Sequence, residues 1–408
     1  MLLVAGGAAV RIVQIYKDYD PVVGGIENHI KVLAEGLVAR GHDVTVLVTN
    51  TERRTIEQSI GGVRVIKAGR TAHVASTPLS TDLIRQARAL DADLLNLHMP
   101  YPPGDLLALA RSDLPLVATY HSDVVRQRRL LQVYRPLLAL TLQRARRIIA
   151  TSEPYVASSP FLRRQRAKCR VVPLSVDPER FAHADADLIA AIRKRYCPQA
   201  SDRLILSVGV LRYYKGLHVL IDAMTQLDAQ LLIVGAGPEA QQLRDLAQAF
   251  GVARRVHFAG RVPDDNLAAY YHAADVFVLP SHLRSEAFGI VQLEAMAAGR
   301  PVISTELSTG TSIVNQHGIT GFVVPPSDPQ ALARAIKVLL DNPDMREQMG
   351  QQARQRVVAE YTHDQMIERT LAVYAEAIER VPGATTRRRV QAKSASLLNL
   401  LRTFIAWR

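Results

Sequence analysis

Ser285-Glu286-Ala287-Phe288-Gly289-Ile290-Val291-Gln292-Leu293-Glu294 runs on into Ala295-Met296-Ala297-Ala298-Gly299-Arg300-Pro301, between two short apolar runs at residues 276–280 and 301–305. The apolar runs read as strands. The segment between them reads as a loop that breaks at Phe288-Gly289, then a helix stopped by Gly299-Arg300-Pro301. Strand, loop, helix, strand is the repeating unit of a parallel sheet. Glu286 stands in the loop and Glu294 in the first turns of the helix, so two carboxylates face one cleft from different heights. The backbone N–H groups from Phe288 through Gly289 and Ile290 to Val291 are free to hold an anion between them. Like charge and desolvation both oppose such an acid pair, which favours function over packing as its reason.

The same alternation extends outward in both directions. Strands are expected at residues 11–16, 43–49, 63–67, 94–98, 116–120, 147–151 and 170–173, and in a second series at 203–209, 229–235, 256–260, 276–280, 301–305 and 321–324. Residues 173–201, with Pro178 and Pro198, form the linker between the series. Helical stretches follow at 331–357 and 363–380, ended by Pro382-Gly383. The fold class is therefore α/β, with two Rossmann-like doubly wound domains facing across a cleft. Ligands of such sheets sit at the carboxyl ends of the strands.

Several motifs occupy those ends. Gly24-Gly25, between the first strand and an amphipathic helix, lets backbone approach a phosphate at a helix N-terminus. His121 and Asp123 follow the strand at 116–120 directly. Arg212 and Lys215-Gly216 follow the strand at 203–209, where two cations suit a diphosphate. Gly235-Ala236-Gly237-Pro238-Glu239-Ala240 matches a dinucleotide fingerprint, but no acidic residue ends the next strand, which continues into Arg261, so a nicotinamide site is not expected. Asp91-Ala92-Asp93 and Asp185-Ala186-Asp187 look like metal-binding pairs, yet neither follows a strand, and both are expected to be solvated.

The 408 residues, 48% of them hydrophobic, exclude a disordered or fibrous chain. The formal charge of +12 is uneven: residues 1–180 carry 25 Lys+Arg against 16 Asp+Glu, 181–383 carry 19 against 22, and 384–408 carry 6 against none. Two cysteines, Cys169 and Cys197, build neither a disulfide framework nor a metal cluster. Residues 1–10 lack the basic leading region of a signal peptide, and no run approaches the about 20 apolar residues of a membrane span. Nucleic acid is the rival partner for a basic chain, but no motif for it accompanies the charge.

Taken together, Gly24-Gly25, Tyr120-His121-Ser122-Asp123, Lys215-Gly216, Val234 to Pro238 and the spacing from Glu286 to Glu294 resemble the family 4 glycosyltransferases of the GT-B fold, over residues 11–380. The resemblance implies a retaining, metal-independent transfer of a sugar from a nucleoside diphosphate donor, with no cofactor. Carried onto this chain, it makes Glu286 and His121 the catalytic pair. Glu286 would hold the sugar hydroxyls and stabilise the oxocarbenium-like transition state, and His121 would contact the sugar near its anomeric centre. Glu294 would hold the ribose, Arg261 would lie along the base, and Lys215 with the amides of Gly24, Gly25, Phe288, Gly289 and Ile290 would meet the charge on the leaving diphosphate. The family's arginine five residues before the lysine is here Val210, and Arg212 is the expected substitute. Ser175 replaces a usual glycine in the linker.

The stretch 284–321 looks like bacterial surface-polysaccharide mannosyl- and rhamnosyltransferases, which suggests GDP-mannose or a related GDP-sugar, with UDP-sugars as the alternative and a non-catalytic basic binding module as the rival class. Residues 126–147 hold seven arginines and no acid among leucines, and the tail repeats the pattern around Trp407. Both read as surfaces for anionic headgroups and a lipid-linked saccharide acceptor, placing the protein in the cytoplasm, peripheral on the inner face of the membrane. The expected division is an acceptor domain at 1–180, a nucleotide-sugar domain at 181–362, a helix at 363–383 crossing back, and a basic amphipathic tail at 384–408.

Overall fold

The computed structural model describes residues 9–22, 24–74, 77–123 and 128–379. In its first half are β1 (Arg11–Ile15), β2 (Asp43–Thr49), β3 (Ile56–Ile60), β4 (Val63–Ala68), β5 (Ala72–Val74), β6 (Thr77–Leu79), β7 (Leu94–Met99), β8 (Leu116–Tyr120), β9 (Arg147–Ala150) and β10 (Cys169–Val171). In its second are β11 (Leu204–Val208), β12 (Gln230–Val234), β13 (Val256–Gly260), β14 (Val276–Leu279), β15 (Val302–Thr305) and β16 (Gly321–Val324).

The larger sheet runs β10-β9-β8-β7-β1-β2-β4-β3 and the other β13-β12-β11-β14-β15-β16. All pairings in the two sheets are parallel except β3 with β4. Each sheet starts centrally, winds outward, then returns to the other side of its first strand. That places a topological switch point between β1 and β7 in one sheet and between β11 and β14 in the other, where the connections leave the strand ends in opposite directions and open a crevice. The α/β doubly wound class expected from the alternation is the class observed.

Strands β11, β14 and β15 are buried along their whole length, as central parallel strands covered on both faces must be. Successive side chains serve opposite cores: Leu204, Leu206 and Val208 join one cluster, and Ile205 joins the other. Helix His363–Ile378 packs on the first sheet instead, with Met366, Ile367, Leu371, Tyr374 and Ala377 in that sheet's core. Its start is set by a capping box between Thr362 and Gln365. There the chain passes beside the linker: the Val176 amide donates to the Tyr361 carbonyl at 3.0 Å, and Ser175 Oγ lies 2.9 Å from His363 Nδ1. The serine that replaces a usual glycine thus ties the two crossings together.

Three expectations are corrected. The helical stretch at 331–357 is two helices, Pro329–Asp341 and Pro343–Glu360, because Pro343 cannot continue the first. β3 was not expected; it forms an antiparallel edge hairpin with β4. The Asp pairs are solvated, as expected: Asp91, Asp185 and Asp187 are exposed, Asp91 and Asp93 pairing with Arg11 at the surface and Asp185 capping helix Ala186–Tyr196. Of the arginines read as one basic surface, Arg144 donates to the Arg111 and Leu114 carbonyls, Arg146 to the Ala377 carbonyl, and Arg147 pairs with Glu376. The tail at 384–408 lies outside the described residues.

Candidate active site

Lys215 follows β11 and Glu286 follows β14, so the switch point brings together residues 71 apart in sequence. The Lys215 ammonium donates to Glu286 Oε2 at 2.5 Å, and Ser281 Oγ donates to the same oxygen at 3.0 Å. Both charged side chains are about nine-tenths buried, 12% and 10% exposed. Burial works against the lysine's charge, but the neighbouring Glu286 outweighs it and holds Lys215 above its ordinary value. The backbone demands a glycine next: Gly216 has φ +67°, and a Cβ there would lie on the Pro280 carbonyl. That contact fixes the turn carrying Lys215 against the end of β14.

Glu294, in helix Val291–Ala297, accepts a 2.6 Å hydrogen bond from the Tyr271 hydroxyl. Burial pushes its carboxyl above the usual range, and the tyrosine draws it partly back. Tyr271 was not anticipated; its Tyr270-Tyr271 pair gave no hint of which ring faces inward. Among the described residues the Phe288, Gly289 and Ile290 amides donate no hydrogen bond, which leaves them open to an anion. Arg212 and Arg261 are both exposed near their strand ends. The glycines of the dinucleotide-like stretch serve packing: a Cβ on Gly235 or Gly237 would strike the Gly209 or Leu211 backbone.

On the other side of the cleft, Gly24 in extended backbone (φ −169°) leads into helix Gly25–Ala39. That helix carries His29, whose ring stands edge-on to His121 with centroids 5.3 Å apart. His121, at the end of β8, is buried, and burial drives its pKa well below the ordinary value; His29 falls to about 4 for the same reason. Both imidazoles are thus neutral.

The two sides meet through Arg284, two residues before Glu286. Its guanidinium donates to Asp123 Oδ2 at 3.3 Å and Ser158 Oγ at 2.7 Å, and lies over the Tyr155 ring. Asp123 also accepts from Tyr120 and Ser159. Sequence reasoning passed over Arg284 because nothing local distinguishes it from a solvated loop arginine.

Residues 23–180 match the family described as Glycosyltransferase Family 4, and 189–356 match Glycosyl transferases group 1. D-rhamnosyltransferase WbpZ of Pseudomonas aeruginosa is 42% identical over 350 residues, covering 85% of this chain and 91% of that protein. The chain belongs to the family 4 glycosyltransferases. Another member, O-antigen chain mannosyltransferase C of Escherichia coli, is 37% identical over 373 residues, 90% of this chain and 99% of that one. Among solved structures, sucrose-phosphate synthase from Thermosynechococcus elongatus superposes with a TM-score of 0.75 at 26% identity, over 90% of this chain and 98% of that one. The GT-B expectation is thereby met.

Proposed function

We propose that the protein transfers a mannose-like hexose, with retention of configuration, from a GDP-sugar such as GDP-mannose to a lipid-linked saccharide acceptor during assembly of a surface polysaccharide. The observation that carries the chemistry is the buried Lys215–Glu286 pair set against the open Phe288 to Ile290 amides. As the bond between the anomeric carbon and the diphosphate oxygen breaks, negative charge grows on the diphosphate, and positive charge grows on the sugar ring. Lys215 and the amides, with those of Gly24 and Gly25, meet the first; the Glu286 carboxylate meets the second. No metal is called upon in this arrangement. Glu294 holds the ribose, Arg261 flanks the base, Arg212 adds a cation near the diphosphate, and His121 contacts the sugar. The choice of sugar is supported by the relatives named for D-rhamnosyl and mannosyl transfer.

The acceptor half carries the surplus positive charge. On helix Arg128–Arg144, Val133 and Leu140 are 63% and 49% exposed beside exposed Arg135, a face suited to an anionic membrane surface that presents the acceptor. Among the described residues no helix is long and apolar enough to cross a membrane.

The test is a panel of GDP-, UDP- and dTDP-sugars, read by thermal shift and by transfer of labelled sugar, with Glu286→Ala alongside. Stabilisation by GDP-sugars and loss of transfer in the variant are expected. Stabilisation by UDP-sugars alone would move the donor assignment to the alternative nucleotide, and undiminished transfer by Glu286→Ala would remove the catalytic assignment. Vesicle flotation with and without residues 384–408 tests the membrane contact: retention on anionic vesicles that ignores the deletion would count against the tail.

A further inference from the structure

His121 does not stand alone at the end of β8. Its Nε2 lies 2.9 Å from Nδ1 of His98, the penultimate residue of β7. The rings are within 14° of parallel with centroids 5.2 Å apart, the separation of two imidazoles meeting edge to edge through one N–H···N bond. His98 is fully enclosed and held neutral by burial, so one of its nitrogens is a donor and the other an acceptor.

The surrounding hydrogen bonds decide which. Gln14 on β1 donates its amide to the Tyr374 hydroxyl at 3.0 Å, which leaves its Oε1 as an acceptor. That oxygen takes the Asn96 amide at 2.7 Å and faces His98 Nε2 at 2.8 Å. Asn96 is oriented in turn by donating to Tyr374 at 2.8 Å and accepting from Thr119 at 2.8 Å; its amide nitrogen also lies 3.3 Å from His98 Nε2, but its two hydrogens are taken by the shorter contacts to Gln14 and Tyr374. Within this network, His98 must carry its proton on Nε2, and its Nδ1 lone pair must accept from His121.

We propose that His98, anchored by Gln14, Asn96 and Tyr374, is a positioning residue that holds His121 as the Nε2–H tautomer, so that His121 presents its unprotonated Nδ1 as the acceptor for a sugar hydroxyl hydrogen. This rests on the reading of His121 as a sugar contact. The other tautomer would offer the sugar an N–H and leave two lone pairs facing each other at 2.9 Å inside the protein. Four residues from two strands and the last described helix thereby set the hydrogen-bonding sense of one side chain at the cleft.

The experiment uses the full chain labelled with ¹⁵N-histidine, with the His121 signal identified by its loss in His121→Gln. Two-bond ¹H–¹⁵N spectra give the tautomer, and steady-state transfer gives kcat and KM. His121 is expected as Nε2–H in the parent. His98→Leu should mix the tautomers and lower kcat about tenfold with donor KM within about twofold. His98→Asn places an acceptor oxygen where Nδ1 stood and should restore most of kcat. Should His98→Leu not fold, Tyr374→Phe, which removes the anchor of both amides, is expected to shift tautomer and kcat in the same direction by less. An Nδ1–H tautomer in the parent would overturn the proposal. So would His98→Leu or Tyr374→Phe with tautomer and kcat unchanged, or a stoichiometric metal found on the purified protein, since His29, His98 and His121 place ligand atoms within 4.8 Å of one another and a metal would claim the same lone pair. If the parent transfers no sugar from any donor, the functional reading fails, and the spectra still decide the tautomer.

Discussion

Arg284 reaches from the loop that carries Glu286 to Asp123, two residues past His121, with 3.3 Å between guanidinium and carboxylate. The ion pair therefore spans the cleft, and with the 2.8 Å bond from Ser158 Oγ to the Ser308 carbonyl it ties the amino-terminal half to the loops of the carboxyl-terminal half. Asp123 keeps its other donors, Tyr120 and Ser159, so losing the arginine should hardly disturb that half by itself. Arg284→Ala is expected to lower kcat/KM for transfer about tenfold while moving Tm by only a few degrees. Arg284→Lys should not recover it, because a lysine cannot fork between Asp123 and Ser158. A variant with parental kinetics would show that the contact is incidental to catalysis.

Lys215 and Glu286 are nearly enclosed, and each is the other's compensation. Lys215→Met strands a carboxylate with only the Ser281 hydroxyl and should cost about 2–4 kcal/mol of stability. Adding Glu286→Gln should return most of that stability without returning activity. Denaturant unfolding of the single and double variants, beside a transfer assay, separates the pair's structural role from its chemical one; equal stability of the two variants would deny the coupling.

Tyr271→Phe removes the hydroxyl that donates to Glu294. The carboxyl, already displaced upward by burial, then moves further toward its neutral form and loses its fixed orientation. With Glu294 holding the ribose, donor KM should rise about tenfold, and kcat should change much less. A fall in kcat at constant KM would place Glu294 in the chemical step instead.

Asp105, fully enclosed in helix Pro102–Ala110, accepts a 2.5 Å bond from Tyr134, and burial pushes its carboxyl up to about 7. The native state therefore binds this proton more tightly than the unfolded chain. Its contribution is fully present below the ordinary aspartate value, near 3.8, and is lost as pH rises through about 7. Asp105→Asn, which cannot ionise, should gain stability over the parent as pH rises from 4 to 8, by on the order of 2–4 kcal/mol at the upper end. A constant difference in Tm across that range would contradict the assignment.

The carboxyl-terminal side of the candidate site was legible because its candidate groups stand in contiguous motifs just after apolar strands, where the fold exposes them. What those groups touch was not. Lys215 meets Glu286 only because β11 and β14 are neighbours across the switch point, and strand order is a property of the whole sheet. The histidine cluster draws on a helix and two strands, and each histidine taken singly looks like an ordinary buried side chain. β3 escaped notice because Glu57, Gln58 and Ser59 make an edge strand look like a polar loop. The positive-φ pair Gly61-Gly62 was the available hairpin signal. Pro343 alone divides the long helical stretch.

Gln14 and Tyr374 hydrogen-bond across 360 residues of chain, and the helix bearing that tyrosine completes the first sheet's core. A ribosome adding roughly 5 to 20 residues per second needs about 20 to 70 s to travel from one to the other. From residue 171 onward the nascent amino-terminal half has every strand of its sheet but not its closing helix, with Gln14 and Asn96 unable to settle on their partner. The carboxyl-terminal half, whose core ends at Tyr361, has all its core residues before Tyr374 emerges. Maturation of the amino-terminal half is thus timed by the end of translation, and a chain cut short before residue 374 would leave an exposed, unfinished surface for quality control to recognise.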